Sequence, residues 1–494
     1  MRSLPRPLFR PEQVARLDRY AIDVLGVPGM ELMDRAGGFA YAALRATWPE
    51  MRSLVVLCGG GNNGGDGYVI AELARRDGFP VSVVAMVESS RLKGDAASAA
   101  QRYLGGGGHL RRLDETLPTA GAVVVDALLG TGLERPVARD WAKLIDAVTA
   151  SGLPVLSVDI PSGLNGETGG VLGTAIRADL TTTFIGLKRG LFTGAGPSCT
   201  GDLLYSDLAL PPTVVEQEVP AAWRTDYAAV RHRLRRRRRD GHKGLYGHVL
   251  VVGGDHGTGG AVIMAAGGAL RAGAGLVSVV TRSAHVSPLL GACPEAMVLG
   301  TEDVPDALDR LLPRASVVAL GPGLGTAAWG RTLLRACIDS GKPLVVDADA
   351  LNLLADTPEA LPQAILTPHP GEAGRLLGMS TEAVQNDRWH ALGLLCQRYQ
   401  ATAILKGAGT LIGGGDRPPR VCTGGNPGMA TGGTGDVLTG ICAGLVAQGL
   451  TLAEAAELAV CLHAEAGDQA AEHGERGMVA TDLLEPLRAL VNPI

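Results

Sequence analysis

The chain has 494 residues, of which 46% are apolar and 19% charged, so it is globular and long enough for two or three domains. Its net charge of -5 argues against general nucleic-acid binding. The sequence shows no apolar signal core, no membrane-length apolar stretch and no CxxC pair among its eight cysteines, which predicts a cytoplasmic protein without a membrane span or a zinc site.

The first elements predict a parallel α/β sheet. Residues 11–47 should form two helices around a break at residues 26–29. A buried strand at residues 53–58 is followed by a glycine-rich loop at residues 59–67, a helix to about Arg76 and a second strand at residues 81–87. This order is that of a βαβ unit.

The glycine-rich loop GGGNNGGDG allows more than one interpretation. Gly59, Gly61 and Gly64 have GxGxxG spacing, and Glu88 stands where a ribose-binding acid would be expected, so a nicotinamide-dependent dehydrogenase is one hypothesis. A structural tight turn is another. The polar side chains of the loop, Asp66 among them, argue against the dehydrogenase, because a pyrophosphate is bound by backbone N–H groups and has no use for a carboxylate.

Two further strands are predicted to end in carboxylates, Asp126 and Asp159, each followed by a glycine-bearing loop. Polar residues at the carboxyl ends of parallel strands meet in one crevice. Oxygens of Asn63, Asp126 and Ser162 could therefore surround a hard cation. The alternative is that each aspartate only caps the helix after its strand.

Three later segments carry weaker signals. A strand ending at Lys188 provides either a site cation or a residue that covers a sheet edge. From residue 211 the segment PPTVVEQEVP predicts a linker. The five arginines at residues 235–239 are typical of a solvated face or a flexible arm, because no nucleic-acid recognition pattern follows them.

A second α/β unit follows the arginine run. Strands are predicted at residues 249–252, 276–281, 317–320, 344–346, 364–366 and 403–405, with a helix of small residues at 261–274. Their ends carry glycines, carboxylates, His369 and Lys406, which predicts a nucleotide-binding crevice. Lys406 can neutralise a phosphate, and His369 stands between two prolines at a strand end.

The segment GGTGD at residues 432–436 precedes an apolar run with helical spacing. A loop that enters a helix N-terminus offers free N–H groups and the positive end of the helix dipole to a phosphate. Asp436 could then take a proton from a hydroxyl as it attacks phosphorus. The plainer interpretation is a glycine-rich turn with Asp436 as an ordinary first-turn residue.

Taken together, these motifs resemble those of the fused bacterial NAD(P)H-hydrate repair enzymes, over nearly the whole chain. The first half resembles the epimerase through LMDRAG, GGGNNGGDG, VDALLGTGLERP, VDIPSGLNGETG and FIGLKRG. The second half resembles the dehydratase through HKGLYG, ALRAGAGLV, GPGLG, DADALN, TPHPGE, KGAGT and NPGMATGGTGDVLTG. The resemblance implies a Rossmann-like three-layer α/β/α domain at residues 1–215 and a ribokinase-like α/β domain at residues 225–494.

The resemblance also implies the chemistry of the second half. The dehydratase phosphorylates the C6 hydroxyl of the S form of hydrated NADH or NADPH, using ADP or ATP with Mg²⁺, and loss of phosphate restores the C5=C6 bond. By family position Asp436 is the base. The residues implied for the hydrate are Ala261, Gly323, His369 and Asp436, and those implied for the nucleotide are Lys406, Gly407, Ala408, Gly409, Thr410 and Gly435.

For the first half the resemblance implies interconversion of the R and S hydrates, with Asp159 as the acid–base residue and K⁺ bound by Asn63, Asp126 and Ser162. The expected partners are the two hydrates and ADP or ATP, with no nucleic acid or membrane, and homo-oligomerisation is left open. The residues implied for the hydrate are Asn62, Asn63, Gly64, Gly65, Asp66, Gly130, Thr131, Gly132, Leu133, Glu134, Arg135, Pro136 and Asp159.

Two rival functions remain open. The GTGD loop would equally serve a kinase of a small alcohol, although the fused NNGGD half argues against it. The first half could also be a binding module without catalytic activity, because its fold and pocket would suit either role.

Overall fold

The computed structural model describes residues 4–111, 121–303 and 305–492. The chain divides into two compact units, Met1–Trp223 and Arg224–Ile494. The division falls three residues after the segment PPTVVEQEVP, which the sequence predicts to be a linker. Each unit contains its own sheet, and each is an α/β structure as predicted.

The N-terminal unit is organised around a parallel sheet. In the described residues this sheet has seven strands in the order β4-β3-β2-β5-β6-β7-β9, while β1 pairs with β8 and with the first residues of β10. The strands are β1 (Pro7–Phe9), β2 (Ser53–Cys58), β3 (Val81–Ala85), β4 (Leu110–Arg111), β5 (Ala122–Ala127), β6 (Val155–Val158), β7 (Leu180–Phe184), β8 (Leu187–Lys188), β9 (Asp202–Ser206) and β10 (Ala222–Thr225).

Helices cover both faces of this sheet. They are α1 (Pro11–Asp23), α2 (Gly29–Thr47), α3 (Asn62–Arg76), α4 (Gly94–Gly105), α5 (Arg139–Ser151) and α6 (Gly196–Thr200). Along β2, Leu54 and Val56 join an apolar cluster with α2, α3 and α4, whereas Val55 and Leu57 join a second cluster with α5. This alternation, which follows from the two-residue period of a strand, produces the predicted three layers.

The predicted loop at residues 59–67 is wrong beyond its third residue, because α3 begins at Asn62. Its glycines allow the helix to press against the strand ends. A Cβ on Gly64 would lie 2.2 Å from the Gly59 carbonyl oxygen, and one on Gly67 would lie 2.7 Å from the Ala127 side chain. The segment therefore places helical backbone, and not an open loop, beside the carboxyl ends of β2 and β5.

The C-terminal unit has a mixed sheet in the order β13-β12-β11-β14-β15-β16-β17-β18-β19 over its described residues. It is parallel from β13 to β17, and the β18–β19 hairpin, which the sequence analysis did not predict, adds antiparallel strands. The strands are β11 (His248–Val252), β12 (Leu276–Thr281), β13 (Met297–Gly300), β14 (Val317–Leu320), β15 (Leu344–Val346), β16 (Ala364–Leu366), β17 (Thr402–Leu405), β18 (Thr410–Gly413) and β19 (Arg420–Cys422).

Small residues bring two helices of this unit into close contact. A Cβ on Gly440 in α16 would lie 2.1 Å from the Ala265 carbonyl oxygen in α8, so the two backbones pack without side chains between them. The helices are α7 (Tyr227–Val230), α8 (Gly259–Arg271), α9 (Val286–Ala292), α10 (Pro305–Leu311), α11 (Ala328–Asp339), α12 (Ala348–Asp356), α13 (Pro370–Leu377), α14 (Thr381–Asn386), α15 (Arg388–Tyr399), α16 (Thr434–Ala447), α17 (Leu452–Ala470) and α18 (Leu484–Leu490). Within the described ranges, none of these helices has the length and apolar character needed to span a bilayer.

Candidate active sites

The N-terminal unit has a cavity of about 1020 Å³ at the carboxyl ends of β2, β5 and β6. Of the predicted hydrate residues, those that line it are Asn62, Asn63, Asp66, Gly130, Thr131, Gly132, Leu133, Glu134, Arg135 and Asp159. Gly64, Gly65 and Pro136 do not line it, and Gly65 instead packs against Met33 in the helix layer. The strand ends thus bring most of the predicted set together.

Lys188 is the buried cation of this cavity. Its side chain is 1% exposed and its Nζ pairs with the Asp159 carboxylate, while donating to Thr183 Oγ1 at 3.0 Å and to the Phe184 carbonyl at 3.3 Å. Asp159 itself has a φ of 67°, a left-handed conformation that a non-glycine residue seldom adopts. Of the two interpretations of Lys188, the structure supports the site cation.

Two further carboxyls face the same space. Burial, followed by the charges of Asp159 and Asp18, raises the pKa of Asp66 well above its ordinary value. Asp18 of α1 also lines the cavity and was not predicted. The sequence feature that could have predicted Asp18 is its spacing of four residues from both Val14 and Ile22, which places all three on the face of α1 that meets the cavity.

Asp126 and Ser162 form a buried oxygen cluster beside this cavity. The Asp126 carboxylate is fully buried and accepts hydrogen bonds from Ser157 Oγ at 2.7 Å, the Ser162 N–H at 2.8 Å and Ser162 Oγ. Burial raises its pKa, against the opposing effect of these donors. Within the described residues no lysine, arginine or histidine pairs with it.

Asn63 lies at the cavity wall with its side-chain amide unsatisfied. Both its Oδ1 and its Nδ2 are buried and have no hydrogen-bond partner within the described part of the chain. A Cβ on Gly130 would lie 3.3 Å from Asn63 Cβ, so the β5 loop runs directly past this amide. A buried amide without a partner is unfavourable unless a ligand satisfies it.

The C-terminal unit has a cavity of about 430 Å³, where the carboxyl ends of β15, β16 and β17 face the N-terminus of α16. The predicted residues that line it are His369, Lys406, Gly407, Gly435 and Asp436. Asp347 and Glu372 line it as well, from strand ends that the sequence had placed at a crevice. The cavity therefore joins the GTGD segment to three strand ends.

Asp436 lies in the first turn of α16, two residues beyond the helix start. Burial, with the charges of Asp347, Asp349 and Glu372, raises its pKa to about 7, while Lys406 opposes the shift. Gly433 precedes the helix with a φ of 98°, which suits glycine at this turn. The carboxyl is thus close to half ionised near neutral pH.

Lys406 is held by two carboxylates. Its Nζ donates to Asp347 Oδ1 at 2.8 Å and lies 3.8 Å from Glu372 Oε2. Burial tends to lower its pKa, but the charges of Asp347 and Glu372 outweigh burial and raise it. A Cβ on Gly435 would lie 3.3 Å from Nζ, so the cation lies against the start of α16.

His369 has a local role that the sequence analysis did not predict. It caps α13, because its Nδ1 accepts hydrogen bonds from the N–H groups of Gly371 at 3.0 Å and Glu372 at 3.4 Å. Burial lowers its pKa. Its Nδ1 is therefore committed to the backbone, while Nε2 lies 3.5 Å from Glu372 Oε1.

The remaining predicted residues lie outside this cavity. Gly323 and Ala261 lie together around Thr258, whose Oγ1 donates to the Gly323 carbonyl at 2.8 Å and whose carbonyl accepts from the Ala261 N–H at 3.2 Å. Ala408, Gly409 and Thr410 continue from the cavity edge into β18. Their binding roles stay predictions.

Glu88, on which the dehydrogenase hypothesis depended, is exposed and lies 3.8 Å from Arg91 of the same turn. It does not line the cavity of its unit. The GxGxxG spacing here is therefore not accompanied by a ribose-binding acid.

Sequence models of two families match the chain, one described as NAD(P)H-hydrate dehydratase over residues 249–488 and one as YjeF-related protein N-terminus over residues 29–190. The bifunctional NAD(P)H-hydrate repair enzyme Nnr of Coxiella burnetii is 47% identical over 487 residues, which cover 98% of this chain and 99% of the relative. The enzyme of the same name from Escherichia coli is 44% identical, covering 99% and 95%. The chain belongs to the bifunctional NAD(P)H-hydrate repair enzymes.

A solved structure supports the ribokinase-like fold that the sequence predicts for this chain. The crystal structure of a ribokinase-like superfamily protein from Enterococcus faecalis is 32% identical, with a TM-score of 0.52, and covers 56% of this chain and 96% of its own. The predicted membership in the repair enzyme family and the predicted ribokinase-like fold are confirmed. The absence of nucleic-acid partners, the cytoplasmic location and the oligomeric state stay predictions.

The arginine run is not part of the family signature, and it packs partly on its own unit. Arg237 lies 3.8 Å above the Tyr246 ring and donates to Gln448 Oε1 at 3.2 Å. These contacts fit a solvated face better than a free arm.

Proposed function

We propose that the C-terminal unit dehydrates the S form of hydrated NADH or NADPH at the expense of ADP or ATP. The observation that carries this proposal is Asp436, a carboxyl with a pKa of about 7 at a helix N-terminus, in one cavity with Lys406. A base with a pKa near the working pH combines adequate ionisation with adequate basicity. Membership in the repair enzyme family identifies the substrate as the hydrated cofactor.

In this proposal Asp436 takes the proton of the C6 hydroxyl as that oxygen attacks the terminal phosphorus. The N–H groups of the GGTGD segment, including Gly435, hold the phosphoryl group at the positive end of α16. Lys406 lies beside Gly435 and supplies the positive charge that phosphoryl transfer requires. The phosphate then leaves with the electron pair of the C6–O bond, assisted by the N1 lone pair, and a proton passes from C5 to water, which restores the C5=C6 bond.

The binding sets follow the same proposal. The hydrate is assigned to Ala261, Gly323, His369 and Asp436, and the nucleotide to Lys406, Gly407, Ala408, Gly409, Thr410 and Gly435. The described residues contain no cluster of three or more His, Cys, Asp or Glu side chains suited to a metal ion. Mg²⁺ is therefore assigned to the nucleotide phosphates, the usual way in which this ion binds.

We propose that the N-terminal unit interconverts the R and S hydrates, with Asp159 as an acid–base residue. The hydrate is assigned to the residues from Asn62 to Asp66 and from Gly130 to Pro136, most of which line one cavity. C6 is a carbinolamine carbon, so its hydroxyl can leave with a proton and return on the other face. Lys188 holds the Asp159 carboxylate in place.

We assign K⁺ to the oxygens of Asn63, Asp126 and Ser162. The unsatisfied Asn63 amide and the buried Asp126 carboxylate, which lacks a cationic partner in the described residues, support this assignment. A bound K⁺ would supply the missing positive charge and orient the Asn63 amide. The donor set is rich in oxygen, as a hard cation prefers.

The test is to incubate the purified chain with a mixture of R and S hydrates and ADP or ATP, following the absorbance of the restored dihydronicotinamide. Complete consumption of both forms is expected. If only half of a racemic mixture is consumed at the enzymatic rate, the epimerase proposal is wrong. A stable phosphorylated product without restored absorbance would instead indicate a kinase that does not dehydrate its substrate.

A further inference from the structure

Helix α1 presents one carboxyl to the N-terminal cavity. Val14, Asp18 and Ile22 are four residues apart, and all three line the cavity. Asp18 is the polar member of this otherwise apolar row. It reaches the space from a helix, whereas Asp159 reaches it from the loop after β6.

The carboxyls of Asp18 and Asp66 have no protein partner. Neither accepts a hydrogen bond from any residue that the structure describes, and Asp66 is only 8% exposed while lining the cavity. Asp159 differs from both, because it pairs with the buried Lys188. Carboxyls that line a cavity without protein partners indicate that a ligand or a transferred proton satisfies them.

Burial and nearby charges raise the pKa values of Asp18 and Asp66. Burial, and then the charge of Asp159, raises the pKa of Asp18, an effect that Asp95 adds to and that Lys188 and Arg19 oppose. Asp66 is shifted in the same direction. The cavity therefore combines a carboxylate paired with a lysine and two carboxyls that bind a proton more readily than an ordinary aspartic acid. Paired carboxyls in different environments are how one site provides both an acid and a base.

We propose that Asp18 is a second acid–base residue of the epimerase and acts with Asp159 on the C6 carbon; this rests on the epimerase function proposed above. Asp18 is chosen over Asp66 because it is half-buried, so that a substrate can reach it. Asp66 lies deeper and is left with a binding role.

The C6–O bond of the R hydrate breaks, its electron pair goes to the oxygen, and Asp18 donates a proton so that water leaves. The N1 lone pair forms the C6=N1 bond, and the surrounding carboxylates stabilise the positive charge. Water adds to the opposite face of C6 and gives a proton to Asp159, while the electron pair returns to N1. The proton passes back to Asp18 through solvent, and the S-to-R direction uses the two residues in reverse.

The test compares Asp18→Asn with Asp23→Asn in the full chain. Asp23 is the exposed last residue of the same helix, so this control makes the same chemical change away from the cavity. Interconversion of R and S is measured by chromatography against a protein-free arm, and dehydration of pure S hydrate is measured on the same preparations. Asp18→Asn should lower kcat for interconversion by about 10²-fold or more, with KM within about threefold. Asp23→Asn should match the parent.

Further readouts separate catalysis from structure. Asp18→Asn should dehydrate the S hydrate at the parental rate and should not melt below the parent, because Asp18 has no hydrogen bond to lose among the described residues. Asp18→Glu should restore part of the activity. In water enriched in ¹⁸O, the parent should place one labelled oxygen at C6 with each inversion.

Interconversion by Asp18→Asn within about threefold of the parent would overturn the assignment. So would inversion without ¹⁸O incorporation, or a loss accompanied by a lower melting temperature and slower S dehydration, which indicates a structural role. If the parent itself does not interconvert R and S, the epimerase proposal fails and the role of Asp18 fails with it. Failure of the variant comparison alone leaves the epimerase proposal intact.

Discussion

Asp436→Asn is the substitution that bears most directly on the dehydratase. Asparagine keeps the shape of the first-turn residue of α16 but cannot accept the proton of the C6 hydroxyl. Loss of a positioned general base lowers rates by about 10²- to 10⁴-fold. Affinity for the nucleotide should be unchanged or tighter, because one negative charge beside the phosphates is gone. Epimerisation, which belongs to the other unit, should be unaffected.

The pH profile provides a second measure of the same group. With a pKa of about 7, Asp436 is about one tenth ionised at pH 6 and about nine tenths at pH 8, so the dehydration step of the parent should rise roughly tenfold across this interval. Lys406 lowers this pKa, so Lys406→Met should move the rise to higher pH. Asp436→Asn should show little dependence on pH.

The assay is single-turnover dehydration of pure S hydrate with saturating nucleotide, followed by dihydronicotinamide absorbance from pH 5.5 to 8.5, about 1.5 pH units on each side of the midpoint. Nucleotide affinity is measured separately by calorimetry. If Asp436→Asn retains activity within about threefold of the parent, or keeps the parental rise with pH, Asp436 is not the base. The GGTGD segment would then only bind phosphate.

Three further results are expected. Asp436→Asn should melt at a higher temperature than the parent at pH 8 and at the same temperature near pH 3. The folded pKa of about 7 lies above the unfolded value of 3.8, so ionisation of the carboxyl destabilises the fold increasingly between these two values and not below the lower one. Equal melting at pH 8 would contradict this sign. Epimerisation should be faster in K⁺ than in choline buffer, and Asp126→Ala should remove the difference; equal parental rates in both buffers would exclude the cation. Gly440→Ala should lower the free energy of unfolding of the C-terminal unit by about 1–3 kcal/mol, measured by urea unfolding, because the added Cβ would clash with the Ala265 carbonyl oxygen. An unchanged urea midpoint would show that α8 and α16 can move apart to accommodate the methyl group.

Local patterns in the sequence were enough to predict most strands. Residues 53–58, 276–281 and 317–320 form strands with the predicted bounds, because a buried parallel strand is a continuous apolar run bounded by turn residues. The prediction was wrong at Asn62, where the glycines were interpreted as a loop. They instead allow a helix to approach the strands closely, which depends on packing and not on local propensity.

The family motifs, which are contiguous in the chain, likewise determined the family. Ten of the thirteen residues that they imply for the first hydrate site line the N-terminal cavity, whereas five of the ten that they imply for the second half line the C-terminal cavity. The tertiary structure alone decided which groups share an environment. It paired Lys188 with Asp159, left the Asn63 amide without a partner and brought Asp18 into the same space. The burial of these groups and the charges around them depend on elements that are far apart in sequence and meet only when the chain folds. A local sequence pattern does not show which of these elements meet.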